Sequence, residues 1–320
     1  MLRGLFSRID LMVRLLVLAI LLASFLPATG SARGVAQMVS NSAVFLLFLL
    51  NGMRLERADV LRGIGNWRLL GALSMFCFGA MALAGLGIAK IGDNHLPPLL
   101  ALGFLYLGAL PSTVQSATAY TSLAGGNVAN SVVAAALLNI LGVFVTVPIF
   151  SLLGEGEGVE LGSDGLIKIV VILILPFAMG QALQTRTHSW VVEHKGLIGW
   201  MDRLAIATAV YVAFSGAVEQ GIWSRLDIAS WGMLLAGVAV LMLFGFLGSW
   251  SLGGLMHLPR ADRISFMFAG AQKSTAMGAP LAMVLFPPAT AGLVLVPLLT
   301  YHLLQLVLSA PLAKQLALKQ

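Results

Sequence analysis

The chain alternates between long apolar stretches and short segments that carry nearly all of its charge. A helix needs about 20 consecutive apolar residues to cross the hydrocarbon core of a bilayer. Ten stretches approach that length, so the pattern predicts ten membrane-spanning helices. They are, roughly, Leu11–Pro27, Val35–Met53, Leu69–Ala89, Pro97–Leu123, Val128–Leu153, Leu166–Leu183, Leu197–Ala217, Ile228–Leu252, Ser265–Leu285 and Pro288–Leu308.

Two of these spans, the fourth and the ninth, are interrupted by polar and helix-breaking residues. In the fourth, Pro111 is followed by six serine and threonine hydroxyls and the amide of Gln115. In the ninth, Phe266–Leu285, the polar run includes Lys273 and is flanked by glycines and a proline. Freed backbone groups at membrane depth are tolerated only beside protein or water. Interrupted spans at corresponding places in two halves of a chain point to a transport site.

Composition supports a membrane protein. Hydrophobic residues make up 59% and charged residues 10% of the chain, and the mean hydropathy is +0.95, whereas about 25% of a soluble chain is charged. The fold class we predict is therefore an all-α polytopic membrane protein. With a single cysteine, Cys77, the chain can form no intrachain disulfide and no thiolate zinc cluster. We expect no metal site and no cofactor.

The distribution of Lys and Arg sets the expected orientation. Cytoplasmic segments carry an excess of these residues, and with ten spans and a cytoplasmic amino terminus the partition is thirteen inside against three outside. The inner set is Arg3, Arg8, Arg54, Arg57, Arg62, Arg68, Arg186, Lys195, Arg203, Arg260, Arg263, Lys314 and Lys319, and the outer set is Arg33, Lys90 and Arg225. The acidic loop with Glu155, Glu157, Glu160 and Asp164 falls outside. We expect both termini in the cytoplasm and a bacterial inner membrane. The net charge of +6 fits this orientation better than a nucleic-acid partner.

Ten spans divide into two sets of five within a single transmembrane domain, 1–320. The predicted repeats are residues 11–153 and 166–308, and because five is odd they must insert with opposite orientations. Each repeat then has its fourth helix discontinuous. The first helix is expected to be retained, because no small-residue cleavage site with a soluble mature domain follows it.

Lys273 is the most informative single residue. A lysine at mid-membrane costs about 2.5–3.5 kcal/mol on insertion scales, so a charge at that depth is expected to face water or a protein partner. One reading is a fixed ammonium that stands where a transported cation would otherwise bind. A second is a lysine that gains and loses a proton during transport. The plain structural reading is a lysine whose stem reaches the membrane interface. Elsewhere in the spans, Asn139 is expected to bond between helices.

Three groups of residues together resemble the bile acid:sodium symporter family. They are Asn51-Gly52-Met53-Arg54-Leu55, the Pro111–Tyr120 stretch with Gly126-Asn127-Val128-Ala129-Asn130-Ser131, and Gly270-Ala271-Gln272-Lys273-Ser274. The resemblance covers nearly the whole chain and is strongest with a branch of cation/proton-antiporter-like transporters. It implies ten helices in two inverted five-helix repeats, with the fourth and ninth helices unwound where they cross. It also implies a panel domain that faces a core domain.

Two sets of candidate site residues follow. Transferred residue by residue, the resemblance implies an ion-binding set of Gln115, Ser116, Ser131 and Gln272, and it places Lys273 and His302 near the solute. Thr113, from the hydroxyl cluster after Pro111, and Asn51, at the end of the second span, complete the predicted solute-binding set. The family's shared sodium-binding glutamate falls on Phe268, and the asparagine near the solute becomes Lys273. Without that glutamate, two-sodium coupling is not expected.

The function that these features predict is secondary active transport of a small or amphipathic organic anion by alternating access. Coupling to sodium, to protons or to neither stays open, as does the oligomeric state. The alternative is a regulatory or receptor-like membrane protein with the same fold and no solute flux. An enzyme is not expected, since the sequence contains no HExxH motif, no paired membrane aspartates and no serine with a plausible histidine base. ATP-driven transport is not expected either, because the phosphate-binding sequence GxxxxGK[ST] is absent.

Overall fold

The computed structural model describes residues 10–56, 58, 67–92, 96–154, 167–168, 170–221, 224 and 226–318. Every regular element within these residues is a helix. The helices are α1 Leu11–Phe25, α2 Ser31–Arg54, α3 Trp67–Gly92, α4 Pro98–Ala109, α5 Val114–Leu123, α6 Val128–Leu153, α7 Val170–Glu193, α8 Lys195–Glu219, α9 Ile228–Leu255, α10 Arg260–Ala271, α11 Thr275–Leu285 and α12 Pro288–Ala317. Helices α3 and α7 include π-helical turns, at Met75–Ala80 and Val170–Ile174.

In the described part of the chain, seven helices are long and apolar enough to cross a membrane: α2, α3, α6, α7, α8, α9 and α12. The pair α4 and α5, bent by 61° at its break, brings the number to eight if it counts as one span. The protein is thus a polytopic helical membrane protein, as the sequence predicts. The two further predicted spans correspond to α1, with 15 residues, and to α10 and α11, with 12 and 11 residues.

Side-chain caps explain why several helices begin where they do. Asp10 accepts a hydrogen bond from the Met12 N–H at 2.8 Å before α1, and Asn127 accepts one from Asn130 at 3.1 Å at the start of α6. Asp227 precedes α9, and hydrogen bonds from the side chain and backbone of Ser230 lower the pKa of its carboxyl. Such caps satisfy amide groups that the first helical turn leaves free.

Some predicted boundaries are wrong. Helix α12 does not end at Leu308 but continues through Pro311 to Ala317, and α7 continues past Leu183 to Glu193. The predicted bounds followed apolar length alone, and both helices continue into polar residues beyond it. Within α12, Pro311 is tolerated because neighbouring groups can satisfy the freed carbonyl. Several residues used in the orientation argument lie outside the described residues, as does the predicted start of the second repeat at 166. These residues are Arg3, Arg8, Arg57, Arg62, Arg225, Lys319, Glu155, Glu157, Glu160 and Asp164.

The described helices group into two compact units. The first contains α1, α2, α7 and α8, with the end of α11 from Ala279 and the start of α12 up to Leu293. Helix α2 crosses α7 where Gly52 meets Gly180, and the Gln181 side chain donates to the Gly52 carbonyl at 2.7 Å. Helix α8 packs on α1 and α2.

The second unit contains α3, α4, α5, α6, α9 and α10, with the start of α11 and α12 from Val294. Its most deeply buried helices are α4 and α10, in which Leu100–Ala109 and Ile264–Ala271 are buried throughout. A helix that is apolar on all sides belongs inside a larger structure. Around α10, a core of Leu73, Cys77 and Leu138 joins α3 and α6.

We predict that Gly180→Ala destabilises the protein, because a Cβ at Gly180 would come within 3.0 Å of the α2 backbone at Leu49, Gly52 and Met53. Overpacking of this kind costs about 1–3 kcal/mol, so thermal unfolding in detergent should shift to lower temperature. Gly34→Ala, on α2 itself, is the control, since a Cβ there meets nothing within 4 Å. Equal melting temperatures for the two variants would contradict the close helix crossing.

Candidate functional site

Helices α4 and α10 end in the same way inside the second unit. Each has 12 residues and each follows a proline, Pro97 or Pro259. After the last helical residue the backbone is extended, with φ −76° and ψ 150° at Leu110 and φ −75° and ψ 141° at Gln272. A second helix, α5 or α11, begins within a few residues. The second unit therefore contains two helix breaks of matching geometry.

The first break has a local cause in the sequence. Pro111 follows Leu110, and a proline pushes the preceding residue out of the helical conformation and into the extended one. Pro111 also has no N–H to donate to a helical carbonyl. The sequence therefore encodes this break directly.

The second break is held by contacts with distant parts of the chain. The Lys273 N–H donates to the side-chain carbonyl of Gln305 on α12 at 2.9 Å. The Ser274 N–H donates to the Pro111 carbonyl at 3.0 Å. Both backbone N–H groups therefore donate to acceptors outside their own helix and not to the carbonyl four residues earlier. The flanking Gly270 and Pro280 do not lie at the break itself.

The two extended links are paired with each other. Besides the bond from Ser274 to Pro111, the Thr113 hydroxyl donates to the Lys273 carbonyl at 2.8 Å. Gln272, Lys273 and Ser274 are almost completely buried, with exposed fractions of 0%, 0% and 1%. The break points of α4/α5 and α10/α11 thus meet in the interior of the second unit.

Hydroxyl groups of the following long helices cap both broken helices at equivalent places. Thr146 of α6 donates to the carbonyl of Ala109, the last residue of α4, at 3.0 Å. Tyr301 of α12 donates to the carbonyl of Ala271, the last residue of α10, at 2.6 Å. The last carbonyls of a helix have no partner within it, so these hydroxyls satisfy groups that would otherwise be buried without a donor.

Amide side chains satisfy the links in a similarly matched way. Asn139 of α6 donates to the Ser112 carbonyl at 2.7 Å, which confirms its predicted role between helices. Gln305 of α12 donates to the Lys273 carbonyl at 3.1 Å. Because Gln305 also accepts from the Lys273 N–H, its amide orientation is fixed by the link. Its NH₂ group, 2.9 Å from Nδ1 of His302, is then the donor, which places the proton of a neutral imidazole on Nε2.

The ammonium of Lys273 is enclosed by three backbone carbonyls. Its Nζ donates to Leu110 at 2.7 Å, to Gly108 at 2.8 Å and to Cys77 at 3.0 Å. Gly108 and Leu110 belong to the end of α4, and Cys77 lies in the π-helical turn of α3. An ammonium has three N–H groups, and each has an acceptor here. The side chain has no exposed surface.

The positive charge of Lys273 is opposed by backbone dipoles. The carbonyl end of a helix carries a partial negative charge, and this end of α4 faces the Lys273 ammonium. Along the eight helices of the second unit, Asp262 is the one acidic residue in the sequence. It lies in the first turn of α10, where the Asn127 and Asn130 amides each donate to it at 2.8 Å. Lys273 is therefore balanced by backbone dipoles and not by a carboxylate.

Residues 10–318 match the family model described as the SBF-like CPA transporter family. A Pseudomonas aeruginosa protein named only as uncharacterized is 37% identical over 305 residues, or 94% of this chain and 91% of that protein. The Escherichia coli K12 protein "Putative symporter YfeH" is 35% identical over 314 residues, or 97% and 94%. The Mus musculus "Sodium/bile acid cotransporter 7" is 23% identical over 309 residues, or 93% and 89%.

The chain belongs to the SBF-like CPA transporter family. The predicted resemblance to bile acid:sodium symporters is confirmed. Family members are transporters and symporters and not enzymes, which agrees with the chemistry that the sequence lacks. The family assignment leaves the solute, the coupling ion and the residues that bind them as predictions.

The four residues predicted to bind an ion are partly brought together. The Ser116 hydroxyl donates to the side-chain carbonyl of Gln272 at 2.8 Å, and the Gln272 amide donates to the Ser309 hydroxyl at 2.8 Å. The Ser131 hydroxyl, on α6, accepts a separate hydrogen bond from the Thr121 hydroxyl at 3.2 Å. Gln115 lies on the exposed side of α5.

The residues predicted to bind solute are divided between the units. Thr113, Lys273 and His302 belong to the second unit and are linked through the Lys273 backbone and Gln305, whereas Asn51 lies on α2 in the first unit. Of the two expected settings for Lys273, water or a protein partner, the structure shows the protein partner, because main-chain carbonyls accept from all three N–H groups. Its role as a solute ligand stays a prediction, and the geometry favours the fixed ammonium.

Sequence reasoning missed several residues that hold the site together. Thr146, Tyr301 and Ser309 lie in apolar stretches with no local signal of their partners. The carbonyls of Cys77 and Gly108 could not be assigned from side-chain chemistry at all. The one available signal was a polar residue within an otherwise apolar stretch. It singles out Thr146 and Ser309 but does not indicate their hydrogen-bond partners.

We predict that Thr146→Val and Tyr301→Phe each lower the melting temperature, because each leaves a buried helix-end carbonyl without its donor. The cost is about 1–3 kcal/mol per site, measurable by thermal unfolding in detergent. Thr208→Val is the matched control, since that exposed hydroxyl bonds only within its own helix, to Leu204. Melting temperatures equal to that of the control would show that the caps contribute nothing.

Proposed function

We propose that the protein is a secondary active transporter that carries an organic anion across the membrane by alternating access. The observation that supports this most is the matched pair of helix breaks, whose extended links meet inside the second unit. Broken helices at membrane depth occur where they line a site for a solute or an ion. Membership of a transporter family supports the same function.

We also propose ten spans arranged as two inverted five-helix repeats. In this arrangement α4 with α5 is the fourth span, α10 with α11 the ninth, and α1 the first. Four helix contacts support it, because they form two matched pairs: α1 with α8 and α2 with α7 in the first unit, and α3 with α4 and α9 with α10 in the second. The capped carbonyls at Ala109 and Ala271 occupy equivalent positions in this scheme.

The solute is proposed to be an anion because positive partial charges converge near the breaks. Helices α5 and α11 start there, at Val114 and Thr275, and helix amino termini attract anions. The fixed charge of Lys273 adds to this potential. No acidic side chain lies between residues 96 and 154 in the sequence to oppose it.

Coupling is proposed to proceed without a pair of sodium ions. Phe268 stands where the family resemblance places the shared glutamate, and it is completely buried. A cation near Lys273 would experience repulsion that a low dielectric strengthens. Protons, one sodium ion or no ion at all are the alternatives, and separate ion gradients distinguish them.

The predicted activity is uptake of labelled organic anions by proteoliposomes that contain the full chain. A panel of small carboxylates and amphipathic anions should yield at least one transported solute, and its uncharged ester should not be carried. Sodium and proton gradients are imposed one at a time. Solute-dependent thermal stabilisation without flux would contradict the proposal and support a receptor.

We predict that Ser116→Ala reduces the initial rate of this uptake by about tenfold, because it removes a bond of roughly 1–1.5 kcal/mol between α5 and the second link. Ser151→Ala is the control, since its hydroxyl bonds to Val147 of its own helix. Equal uptake rates for the two variants would show that the hydrogen bond between Ser116 and Gln272 has no role in transport.

The proposed location is a bacterial inner membrane, with both termini in the cytoplasm. We predict that a periplasm-dependent reporter, alkaline phosphatase, is active when fused after Gly154 or Gly221 and inactive after His194, His257 or Leu318. A cytoplasm-dependent fluorescent reporter should give the opposite pattern. Activity after both His194 and Gly221 would contradict the span between them.

A further inference from the structure

We infer that the carbonyls of Cys77, Gly108 and Leu110 form a monovalent-cation site that Lys273 fills with its own ammonium. Shortening Lys273 would then leave a site that accepts a free cation. Here the three carbonyls are called the carbonyl cage. The inference concerns this cage and holds whichever solute the protein carries.

The contacts of Nζ are those of a bound cation. Three oxygens lie 2.7, 2.8 and 3.0 Å from one nitrogen, and all three come from the main chain. Rings of backbone carbonyls replace the hydration shell of alkali cations in selective pores. Ammonium and potassium ions have similar radii, so a cage that suits one has a suitable size for the other.

The cage does not depend on the lysine stem for its position. Cys77 is on α3, Gly108 is on α4 and Leu110 directly follows α4; the two helices contact each other through Gly85 and Gly108. A Cβ at Gly108 would come within 3.0 Å of the backbone at Met81 and Ala82. The acceptors are therefore set by backbone packing between α3 and α4, and they remain together when the side chain of Lys273 is removed.

A cage without a cation is unfavourable. Buried carbonyls that lack a donor destabilise a protein, and the carbonyl end of α4 adds a negative potential. Neither an acidic side chain nor a metal-ligand cluster is found beside Nζ in the described residues. The tethered ammonium supplies the charge that a free ion would otherwise have to bring.

The test is rescue of a shortened variant by an added amine. Lys273→Ala removes three carbons and the nitrogen, which is the outline of propylammonium. Purified full-length variant in detergent is expected to melt roughly 5–10 °C below the wild type. Propylammonium should restore at least half of that loss, potassium should restore part of it, and the wild type should respond to neither.

Three comparisons make the result specific. Propanol has the shape of propylammonium without its charge. Tetramethylammonium has the charge, but its four methyl groups keep the carbonyl oxygens away from it. Neither should rescue the alanine variant. Lys273→Met fills the stem without a charge, and it should be destabilised and insensitive to propylammonium. If the alanine variant is unstable without a cation, it is extracted and purified in propylammonium, which is then removed.

Rescue by propanol as good as by propylammonium would overturn the inference, because the amine would then only fill space. A methionine variant as stable as the wild type would also overturn it, as would an alanine variant that propylammonium does not stabilise. Absence of anion flux would leave the rescue unaffected, so failure of the transport proposal and failure of the cage are told apart.

Discussion

The second unit depends on satisfying backbone groups that two broken helices expose inside an apolar interior. Where a helix stops within a membrane, its last carbonyls have no water to bond to, and each one left alone costs free energy. Single polar side chains on the neighbouring helices donate to these carbonyls. They are Thr146 and Asn139 on α6, and Tyr301 and Gln305 on α12. These helices remain apolar enough to cross a bilayer because so few polar groups are needed.

The two breaks share the extended backbone after the last helical residue but differ in the residue that follows it. After the extended residues Leu110 and Gln272 come Pro111 in one link and Lys273 in the other. Proline contributes a carbonyl and no donor, whereas lysine contributes a backbone N–H and three further N–H groups on its side chain. Hydrogen bonds run between the links in both directions: Lys273 and Ser274 donate to carbonyls of the first link, and the Thr113 hydroxyl donates to the Lys273 carbonyl. These bonds join two segments that are far apart in the chain.

Part of this arrangement could be predicted from the sequence. The spans and the all-helical fold follow from apolar length, and the first break follows from Pro111 and the hydroxyls beyond it. Lys273 was correctly singled out, because a charge in an apolar span is costly and therefore informative. Its surroundings could not be predicted, since they depend on where α3 and α4 come to lie, and sequence spacing carries no information on that packing. The boundaries near Leu183 and Leu308 were wrong for a related reason: the membrane limits a span less strictly than the hydropathy pattern suggests.

The ligands of the Lys273 ammonium have a consequence for how this family can vary. Main-chain oxygens at residues 77, 108 and 110 are present whatever side chains stand there, so substitution can change the occupant of this position but not erase its ligands. A related protein with a short residue in place of the lysine would keep the same acceptors and could recruit an ion from solution. A single substitution would then replace the tethered charge with an exchangeable ion, and a comparison of side chains alone would overlook the site.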